Sequence, residues 1–418
     1  MRGEIIAIGD ELTTGRILNT TSFFAASQLF AAGHEVIAMT TIGDEVELIG
    51  ETIRQALARA DFIIVTGGLG PTTDDLTNRA VSEALARPAT FYPEISRKIA
   101  AHGTNNTAEV QSALEKLAWL PAGAHALHSE ARTAGYFLVQ DGKPVFFLPG
   151  VPHEMKELLV ETVLTRLAVW EGEEGRQVRQ KVYKVVGLAE SEINNKLEHL
   201  EDPAHGVRIG YYPVFPEVHV SLTVAGDGEA SIEERFGDCD TAIVEILGRA
   251  IYGCGNDSLE GVVGRLLGWQ GKTLAVAESC SGGLLAHKMT KVSGSSAYFL
   301  GGVVAYSNEL KERLLGVPSA ILAQYGAVSG ETARAMADGI RRVTGAGLGV
   351  SITGIAGPGG GGEAKPVGTV YLALATAAGT DDHLVHLAGD RWQIQEHASQ
   401  IALDLVRRSL LDSEREAV

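Results

Sequence analysis

The chain has 418 residues, is 45% hydrophobic and 21% charged, and carries 50 Gly, 13 Pro and a formal net charge of −17 at pH 7. That length allows about two to four domains, and the acidic balance, with no Lys/Arg run, argues against general nucleic-acid binding. Three unpatterned cysteines, Cys239, Cys254 and Cys280, exclude a disulfide framework or a zinc site; with no apolar window of about 18 residues, no membrane partner and a reducing cytoplasmic setting are expected.

The first third alternates strands and helices. Residues 3–9 form a short apolar run ending in Gly, and 19–33 read as a helix opened by Asn19 or Thr20 and closed by Gly33. A strand over 34–44 follows, then helical spacing of Val46, Ile49, Ile53, Ala56, Leu57 and Ala60. Residues 61–68 are a strand running into a Gly-rich turn, 75–86 a helix, 143–150 a strand and 153–167 a helix. This rhythm predicts a mainly parallel sheet with helices on both faces. The charged stretch 171–177 reads as a linker. Beyond it, strands over 181–187 and 217–226 and helices over 189–200 and 231–249 make a small α+β module, read as a connector because no basic clamp loop accompanies "GVRIG".

From about 257 the α/β rhythm returns. Strands are expected over 272–278, 301–306, 347–354 and 369–376, with helices over 307–316, 329–345 and 393–412. The expected fold class is α/β: two three-layer α/β domains (1–172 and 257–418) joined by a small α+β connector (173–256).

Ligands of parallel α/β sheets bind at the carboxyl ends of strands. In the first domain these ends carry "GDEL", "GD" and "TGGLGPTTDDLT". Gly67, Gly68 and Gly70 let backbone N–H groups approach an anion, with Thr72 beside them. Asp10, Glu11, Asp44, Asp74 and Asp75 are candidates to hold a divalent cation bridging a phosphate; the plainer alternative is first-turn and capping carboxylates.

In the last domain, "AESCSGG" places Ser279, Cys280 and Ser281 where a strand becomes a helix, followed by Gly282 and Gly283. Any of the three side chains could attack an electrophile, and N–H groups of such a turn can steady an oxyanion. No Ser-His-Asp pattern is evident. Tyr306 at a strand end and Lys311 about one helical turn later are offered instead, a desolvated Lys being able to act as base. The Gly loop 355–368 lacks the Gly-Lys-Ser/Thr of a phosphate-binding P-loop and could follow a substrate or be a hairpin tip.

"TGGLGPTTDDLT" resembles the turn of the molybdopterin-binding fold of the MoaB/Mog type, with Leu69 where Thr is usual, and is more similar to the N-terminal domain of the CinA (competence/damage-inducible protein A) family. "AESCSGG", "GGVVAYSNELK", "GAVSGETARAMADG" and "TGIAGPGGGGEAKPVGTVYLA" resemble, in order, the CinA C-terminal domain, which also occurs alone as the PncC type of nicotinamide-nucleotide amidase. The resemblance implies hydrolysis of nicotinamide mononucleotide, with Ser279 as nucleophile and Tyr306 and Lys311 as the other catalytic positions. Asn308, Thr353, Gly354 and Gly357 would line the pocket, Cys280 would pack behind Ser279, and Ser281 would cap the helix or touch substrate. It also implies a metal-assisted ADP-ribose pyrophosphatase in the first domain and no cofactor in the last. A homodimer is the expected assembly. The rival expectation is a non-catalytic nucleotide- or molybdopterin-binding protein.

Overall fold

The computed structural model describes residues 1–102, 115–127, 135–172, 177–226 and 228–415. The linker expected over 171–177 lies largely outside them. The chain divides into two compact units: Met1–Gln180 with Ala204–Gly206 and Val224–Phe236, and Lys181–Pro203 with Val207–Thr223 and Gly237–Val418.

The first unit is built on a six-stranded sheet. Its strands are β1 (Arg2–Ile8), β2 (Glu35–Ile42) and β3 (Phe62–Thr66), then, after a two-stranded pair of β4 (Ala89–Phe91) and β5 (Trp119–Pro121), β6 (His125–Ala126), β7 (Tyr136–Gln140) and β8 (Lys143–Leu148). The order is β2-β1-β3-β8-β7-β6. β2, β1, β3 and β8 run parallel, whereas β7 pairs antiparallel with β8 and with β6. Ile5, Ile6 and Ala7 are fully buried because both faces of β1 are covered. Ile6, Ile8, Ile63 and Val65 pack under the helix Val46–Arg59 through Ile49 and Ile53. Ile5, Phe62 and Ile64 pack on the other face against Ala25 and Leu29 of the helix Thr20–Ala31 and against Met155 and Leu158. Asn19 caps Thr20–Ala31 by accepting from the Ser22 N–H. β4 to β7 were not foreseen; two to five residues are too short for a periodicity to show.

β9 (Gln177–Val185), β10 (Val207–Val214), β11 (Glu217–Gly226) and β12 (Ile251–Cys254) form a four-stranded sheet in the order β10-β11-β9-β12. With the helices Glu190–Leu197 and Glu229–Leu247 it gives the expected α+β module.

The last sheet comprises β13 (Leu274–Glu278), β14 (Phe299–Val304), β15 (Leu348–Gly354), β16 (Thr369–Ala375) and β17 (Thr380–His386), ordered β14-β13-β15-β16-β17. The three strands that carry the site are parallel, and β16 and β17 add antiparallel pairs. Leu274 and Val276 face a core shared with the helices Leu259–Trp269 and Arg391–Arg415. Ala275 and Ala277 face Leu315, Met336 and Ile340 on the opposite side. In this register Glu278 lies beside Val304 and Ile352, so the residues leaving β13, β14 and β15 emerge at one end of the sheet.

Candidate active site

The turn after β13 is held by Glu278, the last residue of that strand. Glu278 is 1% exposed and accepts from the N–H groups of Gly283 (2.9 Å), Leu285 (3.1 Å) and Ala286 (2.8 Å). Its carboxylate therefore serves the first turn of the helix Leu284–Thr290, where free N–H groups and the positive end of the helix dipole favour an anion. A Glu closing the apolar run "LAVAE" was the available signal: a charge on a buried strand needs partners. Gly282 (φ +67°) and Gly283 (φ +102°) supply the left-handed backbone that brings these N–H groups round. Ser281 does not cap the helix; its hydroxyl is buried and, among the described residues, has no hydrogen-bond partner.

Ser279 follows Glu278 and is 8% exposed, its N–H donating to the Ile352 carbonyl at 2.9 Å. Lys311, 1% exposed, places Nζ 3.0 Å from Ser279 Oγ. The same Nζ donates to the carbonyls of Ala305 (2.8 Å) and Tyr306 (3.5 Å). Lys311 turns inward because it shares the buried face of the helix Asn308–Leu315 with Leu315, four residues on, while Ser307 caps that helix by accepting from the Leu310 N–H. Burial pushes the Lys311 amine below its ordinary value, since the protonated form loses hydration. A neutral amine using its two N–H groups on those carbonyls has its lone pair free for the Ser279 hydroxyl. The pair can thus do nucleophile–base chemistry.

Cys280 is a poor rival. It is 6% exposed, and burial first, then the Glu278 charge, pushes its thiol up to about 12, so the thiolate is scarce at neutral pH.

A pocket of about 260 Å³ opens over the pair. Thr353, Gly354 and Gly357 line it as expected, and so do Cys280 and Tyr306; Asn308, Ser281, Gly282 and Gly283 do not. Asn308 is exposed on the first turn of its helix. Thr353 Oγ1 donates to the Ala327 carbonyl (2.7 Å), which ties β15 to the loop before the helix Gly330–Thr344. Lys365 Nζ donates to the carbonyls of Val328 (2.6 Å) and Tyr325 (3.1 Å), so the Gly loop is stapled rather than a free hairpin tip.

The pocket also contains Arg391, unanticipated from the sequence. Its Nη1 donates to the Gly357 carbonyl (2.8 Å) and its Nη2 to the Tyr306 hydroxyl (3.1 Å). The Tyr306 ring is 62% exposed and its hydroxyl engages Arg391, not Lys311 or Ser279, so the direct Lys311–Ser279 route is the one the geometry offers. "GDRWQ" held a local signal. Asp390 Oδ1 accepts from the Gln393 N–H and Gln393 Oε1 from the Asp390 N–H, both at 2.9 Å, a capping box that starts the helix at Arg391.

In the first unit, Gly67 (φ +98°) and Gly68 (φ +64°) form the expected turn. A Cβ on Gly67 would lie 2.1 Å from the Ile8 carbonyl, and one on Gly68 2.2 Å from Thr77 Oγ1. Asp75 Oδ2 accepts from the Thr72 N–H at 2.8 Å and from its hydroxyl, and Lys116 donates to the Thr72 and Asp75 carbonyls. A Cβ on Gly70 would sit 2.5 Å from that carboxylate.

Several of the candidate metal ligands are engaged by backbone N–H groups. Asp10 and Asp44 each accept the other's backbone N–H, at 3.2 and 2.9 Å. Partial burial, with the charges of Asp10, Glu11 and Asp74 adding, raises the Asp44 carboxyl. Among the described residues no three His, Cys, Asp or Glu side chains gather as ligands. Of the five, the Asp10, Asp44 and Asp75 side chains accept backbone N–H groups of these turns.

Fold and site together define a multidomain α/β protein whose last sheet bears a Ser–Lys pair in a strand-end pocket. Three family profiles match in chain order: a probable molybdopterin binding domain over residues 4–169, the damage-inducible protein CinA KH domain over 180–253 and the CinA C-terminal domain over 256–410. A CinA-like protein of Desulfotalea psychrophila is 50% identical over 408 residues, 98% of each chain. One of Geobacter sulfurreducens is 41% identical over 413 residues, 98% of this chain and 100% of the other. The crystal structure of a competence/damage inducible protein of Agrobacterium tumefaciens is 38% identical and covers 36% of this chain and 93% of its own, with a TM-score of 0.36. The chain belongs to the CinA family.

Proposed function

We propose that the C-terminal domain hydrolyses the carboxamide of nicotinamide mononucleotide, with Ser279 as nucleophile and Lys311 as general base. The observation that carries this is the 3.0 Å contact between Ser279 Oγ and the buried Lys311 amine at the base of the pocket. Lys311 takes the hydroxyl proton as Oγ bonds to the carboxamide carbon. On collapse of the tetrahedral adduct the C–N bond breaks and that proton leaves with the amine, as ammonia. Water then attacks the acyl–enzyme, its proton passes through Lys311 back to Ser279, and nicotinate mononucleotide departs. The Arg391 guanidinium, fixed by Gly357 and Tyr306, offers its charge to the nucleotide phosphate, and that anchor orients the carboxamide.

The test is ammonia release from nicotinamide mononucleotide by the full chain beside Ser279→Ala. Release by the wild type and its loss in the variant are expected. No release by the wild type overturns the reading, and full activity in the variant removes Ser279 as nucleophile.

For the N-terminal domain we propose that the Gly67–Thr72 turn takes the diphosphate of ADP-ribose and that the domain hydrolyses it to AMP and ribose 5-phosphate. Consecutive left-handed backbone at Gly67 and Gly68 turns the chain at the carboxyl end of β3, where ligands of parallel sheets bind, and this placement supports the reading. Incubation with ADP-ribose, with and without EDTA, tests this by AMP release. Binding without AMP in either condition would make the domain a binding module. AMP lost with EDTA would mean that the hydrolysis needs a bound ion, for which these carboxylates are the candidate ligands.

A further inference from the structure

The helix Arg391–Arg415 brings two side chains to the site from its first two turns. Arg391 reaches Gly357 and Tyr306, and Gln395 Nε2 donates to the Cys280 carbonyl at 2.7 Å, next to Ser279. First turns fray most easily, because their backbone groups lack intrahelical partners. Two devices oppose fraying here. One is the Asp390–Gln393 capping box. The other comes from the connector module: the hairpin of β10 and β11 turns at Phe215–Pro216 against the outside of this helix.

Phe215 packs its ring against Trp392 (centroids 5.7 Å apart, tilted 43°) and edge-on to His397 (5.9 Å). Two residues on, Glu217 accepts from Gln400 Nε2 at 2.9 Å. Glu217 is itself fixed by the Tyr252 hydroxyl (3.0 and 2.9 Å to its two oxygens) and His219 Nε2 (2.7 Å). The hairpin tip thus grips residues 392, 397 and 400, within three turns of Arg391. Phe215 and Trp392 are 43% and 58% exposed, so their contact contributes little to the core. Trp392 lies one residue along the helix from Arg391, so the contact bears on the turn that carries that arginine.

We infer that Phe215 and Glu217 are positioning residues for the pocket: the connector hairpin braces the first turns of the last helix and so keeps Arg391 and Gln395 in register with Ser279. The kinetic part of this rests on the amidase reading; the structural part does not.

The experiment compares the full-length wild type with Phe215→Ala and Phe215→Tyr, by two readouts. In hydrogen exchange, Phe215→Ala is expected to speed exchange of amides in 391–400 severalfold and to leave 404–412 as in the wild type. In steady-state kinetics with nicotinamide mononucleotide, Phe215→Ala is expected to raise KM about two- to tenfold, the range an aromatic contact supplies, with kcat within about twofold. Phe215→Tyr keeps the ring and is expected to restore both. Unchanged exchange over 391–400 in Phe215→Ala overturns the inference, as does faster exchange there with KM unmoved. If the wild type releases no ammonia, the amidase reading falls, and the exchange rates still decide the brace.

Discussion

At the scale of single residues, the proposed chemistry depends on a lysine kept from water. Because burial lowers the Lys311 pKa, its neutral form is more abundant near neutrality than that of an exposed lysine. The base must be unprotonated, so kcat/KM should rise with pH and level off above the Lys311 pKa, at a pH below the ordinary lysine value of about 10.4. A pH–rate profile checks this, and Lys311→Ala should lose about 10³-fold or more of kcat across it. In the proposed reaction Arg391 binds the phosphate and moves no proton. Arg391→Ala should raise KM for nicotinamide mononucleotide about ten- to a hundredfold, as expected for a lost charge-assisted contact of about 1.5–3 kcal/mol. An unchanged KM would place the phosphate elsewhere.

At the scale of elements, the turn between β13 and the helix Leu284–Thr290 is the sensitive one. Three N–H groups converge on the Glu278 carboxylate. Glu278→Gln would set amide hydrogens against them and leave donors unmet, at a cost of about 2–4 kcal/mol in a denaturant melt, with activity falling as the turn loosens. Gly283→Ala would force an Ala to φ near +102°, and a loss of about 1–2 kcal/mol is expected from the same measurement. The alternation of strand and helix was legible because each long element repeats at its own period. Thr20–Ala31, Asn308–Leu315 and Gly330–Thr344 even announce their starts with Asn19, Ser307 and Ser329, all of which cap in the structure. β7, the helix Ser319–Tyr325 and β17 were not legible. β17 shows a polar, mostly exposed edge pattern, and such a strand is defined by its pairing with β16, not by an apolar period of its own.

At the scale of the whole molecule, the two proposed sites lie in separate compact units. Gly67→Ala should disrupt the first, because its Cβ would meet the Ile8 carbonyl at 2.1 Å, and should leave ammonia release from nicotinamide mononucleotide unchanged. Binding of ADP-ribose by calorimetry and an ammonia assay on the same variant check both halves; a fall in ammonia release would show that the units are coupled.

The sequence by itself determined the class of fold, the order of its segments and the three segments that build the last site, because these depend on local periodicity and on contiguous motifs. It also offered Ser279, Cys280 and Ser281 at a strand-to-helix turn and Lys311 one helical turn after Tyr306, and the family resemblance chose Ser279 among the three. Only the tertiary structure decided that Ser279 and Lys311 lie 3.0 Å apart, that the Tyr306 hydroxyl turns to Arg391, and that Glu278 rather than Ser281 serves the helix N-terminus. It also decided that the Asp10 and Asp44 carboxylates answer each other's backbone N–H groups. The reason is common to all four. Each is a contact set by sheet register or by which way a turn faces, and those follow from packing between segments far apart in the chain, which no local pattern encodes.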